Sequence, residues 1–298
     1  MYPRAFRYHR AASLEEAVTL LTQLGEEAKL LAGGQSLIPL MKLRFANPAY
    51  LVDLSFLSDS AYVKVKAGEA RFGALTSHSQ VEFSEVAARV PILHDCAAGI
   101  ADVQVRNRGT LGGSLAEADP TGDWAPVLLT LQGEVACLGP EGNRVVPLAE
   151  FFVDAFTTVL APNELIREIR MKLPPKRSGG AYMAVKRCAP VYASASVAVQ
   201  LTMEDGSTCR EAGIALGAVG LTTIRATEAE AQLRGKAINA KAIAAATEAA
   251  MAAADPQSDM RGSAEHKRVL VGVLFKRALD AALRRSRGES VEVGHSYA

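Results

Sequence analysis

The sequence predicts an α+β chain in two domains. Three observations carry this expectation. Strand-length apolar runs and helix-spaced apolar stretches are mixed along the chain. Its 298 residues suffice for roughly two domains. The composition shifts at 172–180, where two prolines, two glycines and three basic residues read as a linker. The domains are accordingly expected at 1–175, with parts of about 1–55 and 56–175, and at 176–288, leaving 289–298 as a tail.

The elements follow in order. A helix is expected over 13–25. Ser13 can cap it, Glu16 stands at capping-box spacing, Gly25 closes it, and Leu14, Ala17, Val18 and Leu21 recur on one face. Residues 28–32 read as a buried strand running into Gly33-Gly34-Gln35-Ser36. A short helix over 37–44 tolerates Pro39 near its start, and 50–54 is a further strand. Next, 63–67 and 70–74 form a hairpin around Gly68, and 79–90 and 91–101 are two helices. An extended run, 103–108, leads into Gly109-Thr110-Leu111-Gly112-Gly113-Ser114. Asp123 can cap a helix over 124–131, and strands follow near 133–138 and 143–147. Past the linker, strands are expected at 181–187, 193–202 and 212–219, and helices at 226–235, 240–253 and 263–284. The last helix places Val269, Val273, Leu274, Ala278 and Leu279 on one side, and the polar tail after Arg285 is expected to fray.

Composition removes several functions. Basic and acidic residues balance at 33 against 32, so no surplus charge is available to neutralise a nucleic-acid backbone. Aromatic residues are too sparse, at 6%, for a base-stacking surface. No apolar stretch reaches the roughly 18 residues of a membrane span, the nearest candidate, 237–254, being Ala-rich and interrupted by Asn239, Lys241 and Glu248, and the amino terminus lacks a signal-peptide core. A cytoplasmic protein is expected. Cys96, Cys137, Cys188 and Cys209 stand far apart, as do the five histidines, so no metal or iron–sulfur site is expected, and the thiols are expected to be reduced. His94-Asp95-Cys96 reads as a helix face, and His78 as a hydrogen-bonded structural histidine in preference to a base.

The chemistry lies in the two glycine turns. Glycine serves where the backbone takes positive φ or approaches another group closely. Successive N–H groups in such a turn make a concavity for phosphate oxygens, to which Ser36 and Ser114 can add hydroxyls and a following helix a partial positive charge. Two such loops in one domain suggest two hands on one diphosphate, in a dinucleotide or a nucleotide sugar. A side chain at Gly33 or Gly113 is expected to take the diphosphate's space. Neither GxGxxG nor GxxxxGK[ST] is present.

Ala32-Gly33-Gly34-Gln35-Ser36-Leu37-Ile38-Pro39-Leu40-Met41-Lys42-Leu43-Arg44 resembles the first FAD signature of the medium, flavin-carrying subunits of molybdenum hydroxylases, the xanthine dehydrogenase and aerobic carbon monoxide dehydrogenase family. Arg108-Gly109-Thr110-Leu111-Gly112-Gly113-Ser114-Leu115, followed by Asp119-Pro120-Thr121-Gly122-Asp123, resembles the second. The likeness continues through Asn163-Glu164-Leu165-Ile166, Tyr182-Met183-Ala184-Val185-Lys186-Arg187, Gly213-Ile214-Ala215-Leu216-Gly217-Ala218-Val219 and Asp259-Met260-Arg261-Gly262-Ser263-Ala264-Glu265.

The resemblance implies a two-part FAD-binding domain of the vanillyl-alcohol-oxidase (PCMH) type, followed by a small α+β C-terminal domain of the CO dehydrogenase flavoprotein type. It implies that Lys29, Leu30, Leu31, Ala32, Gly33, Gly34, Gln35, Ser36 and Leu37 wrap the FAD diphosphate and that Gly109, Thr110, Leu111, Gly112, Gly113 and Ser114 complete the cradle. Gln35 stands where many relatives carry His, and both can donate a hydrogen bond. Asp123 would accept from hydroxyls of the cofactor chain, with helix N-capping as its alternative or additional role. Ile166 would pack near the ring system, Lys186 would sit beside the isoalloxazine, and Tyr192 would lie against it. The chain would be an electron-transfer subunit. It would take electrons from the [2Fe–2S] clusters of a small subunit, which a large molybdenum-cofactor subunit feeds, and pass them through FAD to NAD, a quinone, oxygen or another acceptor. The alternatives are a self-sufficient FAD oxidase or reductase of the same fold and a redox-silent nucleotide-binding or assembly protein.

Overall fold

A computed structural model describes residues 2–294 and 296–297. The chain opens with an unpredicted strand, β1 (Arg7–Arg10), whose charged residues carry no apolar alternation. Such a composition suits a sheet edge, where charge discourages further pairing. Helix α1 (Leu14–Leu24) forms as expected: Ser13 accepts the Glu16 N–H at 3.0 Å, and Leu14, Ala17, Val18 and Leu21 are buried. Strand β2 (Ala28–Leu31), helix α2 (Leu37–Leu43) and strand β3 (Tyr50–Asp53) follow, and the strands pair in parallel in the order β1-β3-β2. Val52 and Leu54 pack with the buried face of α1 against Leu138 and Leu165 of the next sheet.

The hairpin of β4 (Val63–Lys66) and β5 (Glu69–Gly73) starts the second part. The helix expected over 79–90 is two, α3 (His78–Glu82) and α4 (Glu85–Arg89). Ser84 interrupts it by capping the second, accepting the Ala87 N–H at 3.1 Å. Helix α5 (Pro91–Gly99) carries proline in its first turn. The run expected to be extended is helix α6 (Val103–Arg108), because Asp102 accepts the Val105 N–H at 2.9 Å. Helices α7 (Leu111–Glu117) and α8 (Trp124–Thr130) follow, then β6 (Glu134–Gly139), β7 (Gly142–Pro147), the short pair β8 (Phe152–Asp154) and β9 (Thr157–Thr158), and β10 (Leu165–Lys172). The main sheet runs β4-β5-β10-β6-β7.

After residues 173–177 the chain forms β11 (Ser178–Lys186), β12 (Ala195–Met203), β13 (Cys209–Gly217) and β14 (Ile224–Arg225), then helices α9 (Thr227–Leu233), α10 (Ala240–Ala253) and α11 (Ala264–Ser286). Strand β11 begins within the segment read as linker. Strand β12 is buried along its whole length, because both faces of its sheet are covered. Val197, Val199 and Leu201 face a core shared with Leu274, Phe275 and Leu279 of α11. Tyr182, Ala184, Ala198 and Ala215 join the core of the preceding part, beside Leu93, Cys96 and Trp124. A run apolar at consecutive positions is the signature of such a two-sided strand.

Val269 and Val273 do not share the buried face of α11. They are exposed, and Val271, Leu274, Phe275, Ala278, Leu279 and Ala282 carry the packing. The tail after Arg285 is also held: the Arg285 guanidinium donates to the Val291 carbonyl at 2.6 and 3.1 Å, and β15 (Ser296–Tyr297) pairs in parallel with β11. Among the described residues no helix is long and apolar enough to cross a membrane.

Candidate functional site

The two glycine turns meet. A Cβ built on Gly33 would lie 2.2 Å from the carbonyl oxygen of Arg108 and 2.8 Å from Cα of Gly109. The space beside Gly33 is therefore filled by the second loop, and this corrects the expectation that glycine there leaves room for a ligand. Gly34 has φ +73°, which turns the chain from β2 into α2.

The loops differ in what they offer. Among the described residues, the backbone N–H groups of Gly33, Gly34, Gln35, Ser36 and Leu37 donate no hydrogen bond. Five successive free donors on a half-buried, solvent-reachable turn form an anion nest. The Gln35 amide reaches back to the Gly33 carbonyl at 3.3 Å. The second glycine segment is not the expected turn: Leu111 to Ser114 form the first turn of α7, capped by Thr110, and their N–H groups are committed to the protein. Leu111 donates to Thr76 O and Gly112 to Ala74 O, both at 2.9 Å, while Gly113 donates to Thr110 Oγ1 and Ser114 to Thr110 O, both at 3.0 Å. The Ser114 hydroxyl and the Thr110 N–H remain without a partner among the described residues. The first loop thus supplies donors, and the second is the wall that holds it.

That wall is anchored from beneath. The His78 N–H donates to the Gly109 carbonyl at 3.0 Å. The His78 ring is buried and accepts the Trp124 indole N–H at Nδ1, 3.0 Å away. Burial lowers the imidazole pKa to about 4, with nearby Asp123 opposing and Arg106 reinforcing the shift. His78 is neutral and structural.

Asp123, Lys186 and Tyr182 form one buried cluster. Asp123 Oδ1 accepts from the Tyr182 hydroxyl at 2.5 Å and Oδ2 from Lys186 Nζ at 3.0 Å, and Lys186 also donates to the Gly99 carbonyl at 2.8 Å. Burial, and then the Asp123 charge, push the Tyr182 hydroxyl well above its ordinary pKa. Asp123 does not cap α8: its backbone is helical, at φ −78° and ψ −29°, and its carboxylate makes no cap hydrogen bond. Its buried charge is drawn to the two donors on β11. Lys186 keeps one ammonium N–H for a further acceptor.

The other expected residues are scattered. Lys29 is exposed on β2, while Leu30, Leu31 and Ala32 are half-buried beside the turn. Leu111 and Ile166 are core residues, Ile166 lying next to a bulge in β10. Tyr192 is 45% exposed. Burial raises its hydroxyl's pKa, with Asp119 and Glu117 adding to the effect and Ser36 opposing it.

Tyr182, the Gly99 carbonyl and the His78–Trp124 bond were not singled out from sequence. Tyr182 had a signal: it stands four residues before Lys186 on one strand, so both side chains leave the same face. Among the described residues no three His, Cys, Asp or Glu side chains converge as a metal site would need.

Comparison with known proteins bears on this geometry. Residues 4–174 match the family described as the FAD binding domain in molybdopterin dehydrogenase, and residues 180–282 match the CO dehydrogenase flavoprotein C-terminal domain. The carbon monoxide dehydrogenase medium chain of Hydrogenophaga pseudoflava is 40% identical, over 96% of this chain and 99% of that relative. The 6-hydroxypseudooxynicotine dehydrogenase complex subunit alpha of Paenarthrobacter nicotinovorans is 36% identical, over 99% of this chain and 100% of the relative. The solved structure of carbon monoxide dehydrogenase from Hydrogenophaga pseudoflava lacking the Mo-pyranopterin moiety contains a chain that superposes with a TM-score of 0.93. It is 42% identical, covering 96% of this chain and 99% of that one. The donor nest suits the diphosphate of FAD, the cofactor that the matched family binds. The chain belongs to the FAD-binding family of molybdopterin dehydrogenases, oxidoreductase flavoproteins of the CO dehydrogenase type.

Proposed function

We propose that this chain is the electron-transfer subunit of a molybdenum hydroxylase complex, linking the [2Fe–2S] clusters of a small subunit, and through them a large molybdenum-cofactor subunit, to an external acceptor. The observation that carries the reading is the row of five unpaired N–H groups at Gly33–Leu37, braced by a second loop and set in a chain whose relatives are named as medium chains and complex subunits. FAD, when bound, supplies exchange of electrons singly with clusters and in pairs with an acceptor.

In this reading Lys29 to Leu37 wrap the diphosphate, and Gly109 to Ser114 brace them, with the Ser114 hydroxyl and the Thr110 N–H as added donors. Asp123 keeps lone pairs for hydroxyls of the cofactor chain, and the free N–H of Lys186 faces the ring system. Tyr192 lies over it. Ile166 contributes apolar backing from the core. The FAD domain occupies 1–175 and the C-terminal domain 176–288, a division supported by matches over 4–174 and 180–282. The four cysteines are unpaired, which supports a reducing, cytoplasmic setting.

The test is isolation of the native complex, with its absorption spectrum and its Mo, Fe and flavin content measured. One flavin per chain, with a large and a small subunit co-purifying, is expected. A flavin-free chain, or a flavin-loaded chain that turns over substrate alone, would overturn the reading.

A further inference from the structure

We propose that Arg261 is the positioning residue that holds Tyr192 beside the first glycine turn and so sets how open the bound FAD is to its acceptor. This rests on the FAD reading above. Tyr192 lies on the segment between β11 and β12, and Arg261 touches that segment twice. Its guanidinium carbon is 5.8 Å from the Tyr192 ring centroid, and its carbonyl accepts from the Ser194 hydroxyl at 3.2 Å. At the other end of the ring, Ser36 of the donor nest opposes the rise in the Tyr192 hydroxyl's pKa, which puts the two side chains near each other without a hydrogen bond between them. The side chain therefore lies between a C-terminal loop and the first glycine turn.

Arg261 is itself fixed. Its N–H donates to Asp259 Oδ1 at 2.8 Å, and Asp259 and Gly262 exchange two backbone hydrogen bonds of 3.1 Å. Lys267, nearly buried on α11, donates to Asp259 Oδ2 and to the Gln257 carbonyl, both at 2.9 Å. This rigid turn leaves the guanidinium 4.0 Å from the nearer Asp259 oxygen, too far for a hydrogen bond, so its charge is directed at the aromatic face. A contact of that class shifts a conformational equilibrium by roughly 2- to 5-fold. That range suits a cover that must be displaced when an acceptor arrives.

The test uses the FAD-loaded protein and reads acrylamide quenching of flavin fluorescence, with flavin content fixed by absorbance. Arg261→Ala is expected to raise the quenching constant roughly 2- to 5-fold, and Arg261→Gln, which keeps the side chain's length but not its charge, is expected to do the same. Tyr192→Ala should raise it at least as far, and adding Arg261→Ala to Tyr192→Ala should change nothing more, because both act through one ring. Unchanged quenching in both Arg261 variants, beside a raised value in Tyr192→Ala, overturns the proposal and leaves the FAD site standing. Full additivity in the double variant also overturns it. Unchanged quenching in Tyr192→Ala removes Tyr192 from the flavin and takes both that site assignment and the proposal with it.

Discussion

Lys186 Nζ and Asp123 Oδ2 lie 3.0 Å apart, almost fully buried, and they join β11 of the C-terminal part to the head of α8 in the N-terminal part. The pair fastens the two units together. A lysine charge balanced in this way raises the electron affinity of a neighbouring ring less than a free cation would.

Lys186→Met is therefore expected to act twice. It leaves Asp123 buried with the Tyr182 hydroxyl as its one remaining donor among the described residues, which costs about 3–5 kcal/mol. It also exposes a flavin placed there to an uncompensated carboxylate and lowers its midpoint potential. In Lys186→Met/Asp123→Asn both effects should largely vanish, since Asn can still accept from Tyr182. Denaturant melts and spectroelectrochemical titration of the three proteins check this. A single variant as stable as the parent would show that the pair does not fasten the units.

Glycine substitutions separate close packing from ligand space. Gly33→Ala drives a methyl group into the Arg108 carbonyl and must push the loops apart. Overpacking of that kind costs about 1–3 kcal/mol, so FAD retention should weaken by roughly tenfold or more. Gly113→Ala meets only the Thr110 hydroxyl, at 2.7 Å. Rotating that hydroxyl away forfeits one N-cap bond, about 1 kcal/mol, and FAD should remain bound. Equal loss of FAD in both variants would restore the view that both glycines make room for the diphosphate.

The first glycine turn could be read from the sequence because its requirements are local: a strand, a positive-φ glycine and a helix start within ten residues. Helix α1 was legible for the same reason, with cap, stripe and closing glycine in one window. The second loop was less so. Two of its N–H groups, those of Leu111 and Gly112, are satisfied by the carbonyls of Thr76 and Ala74, some 35 residues earlier in the chain, and local spacing cannot show that partnership. Strand β1 escaped notice because an edge strand needs no apolar pattern. Asp123 read as a helix cap by position, yet its partners Tyr182 and Lys186 come from another unit, and only packing brings them near.

Stability should fall as the solution is acidified through the range set by His78. Its folded pKa of about 4 lies below the ordinary histidine value of 6.5. Between those values the unfolded chain binds a proton that the folded protein does not, so stability declines as pH drops from about 6.5 to about 4 and then levels. The shift corresponds to about 3 kcal/mol at most. Protonation of the folded ring at Nδ1 breaks the bond from Trp124 beneath Gly109, so flavin release by this route is expected only at the acid end of the window, near pH 4. Melting temperature and flavin release followed from pH 7.5 to pH 4 check the prediction. In His78→Gln, which cannot titrate, this part of the slope should disappear.

The opposite sign is expected where Arg285 is removed. The Arg285 guanidinium clasps Asp95 of α5 with two hydrogen bonds, of 2.5 and 2.9 Å, and also donates to the Gly180 carbonyl at 2.7 Å. Burial already raises the Asp95 carboxyl above its usual pKa, and Arg285 is the main opposing influence. In Arg285→Met that opposition is gone, and the folded pKa climbs further above the unfolded value. The folded variant then binds a proton that the unfolded chain has lost, so its stability is greatest in mild acid and falls as pH rises toward neutral. The loss at neutral pH should be about 3–5 kcal/mol, as for any buried pair deprived of one partner. Arg285→Met/Asp95→Asn should regain most of it and lose the inverted pH dependence. Denaturant unfolding of both variants at pH 5 and pH 7.5 decides the matter: a single variant that gains stability toward neutral pH would mean that Asp95 stays ionised without its arginine.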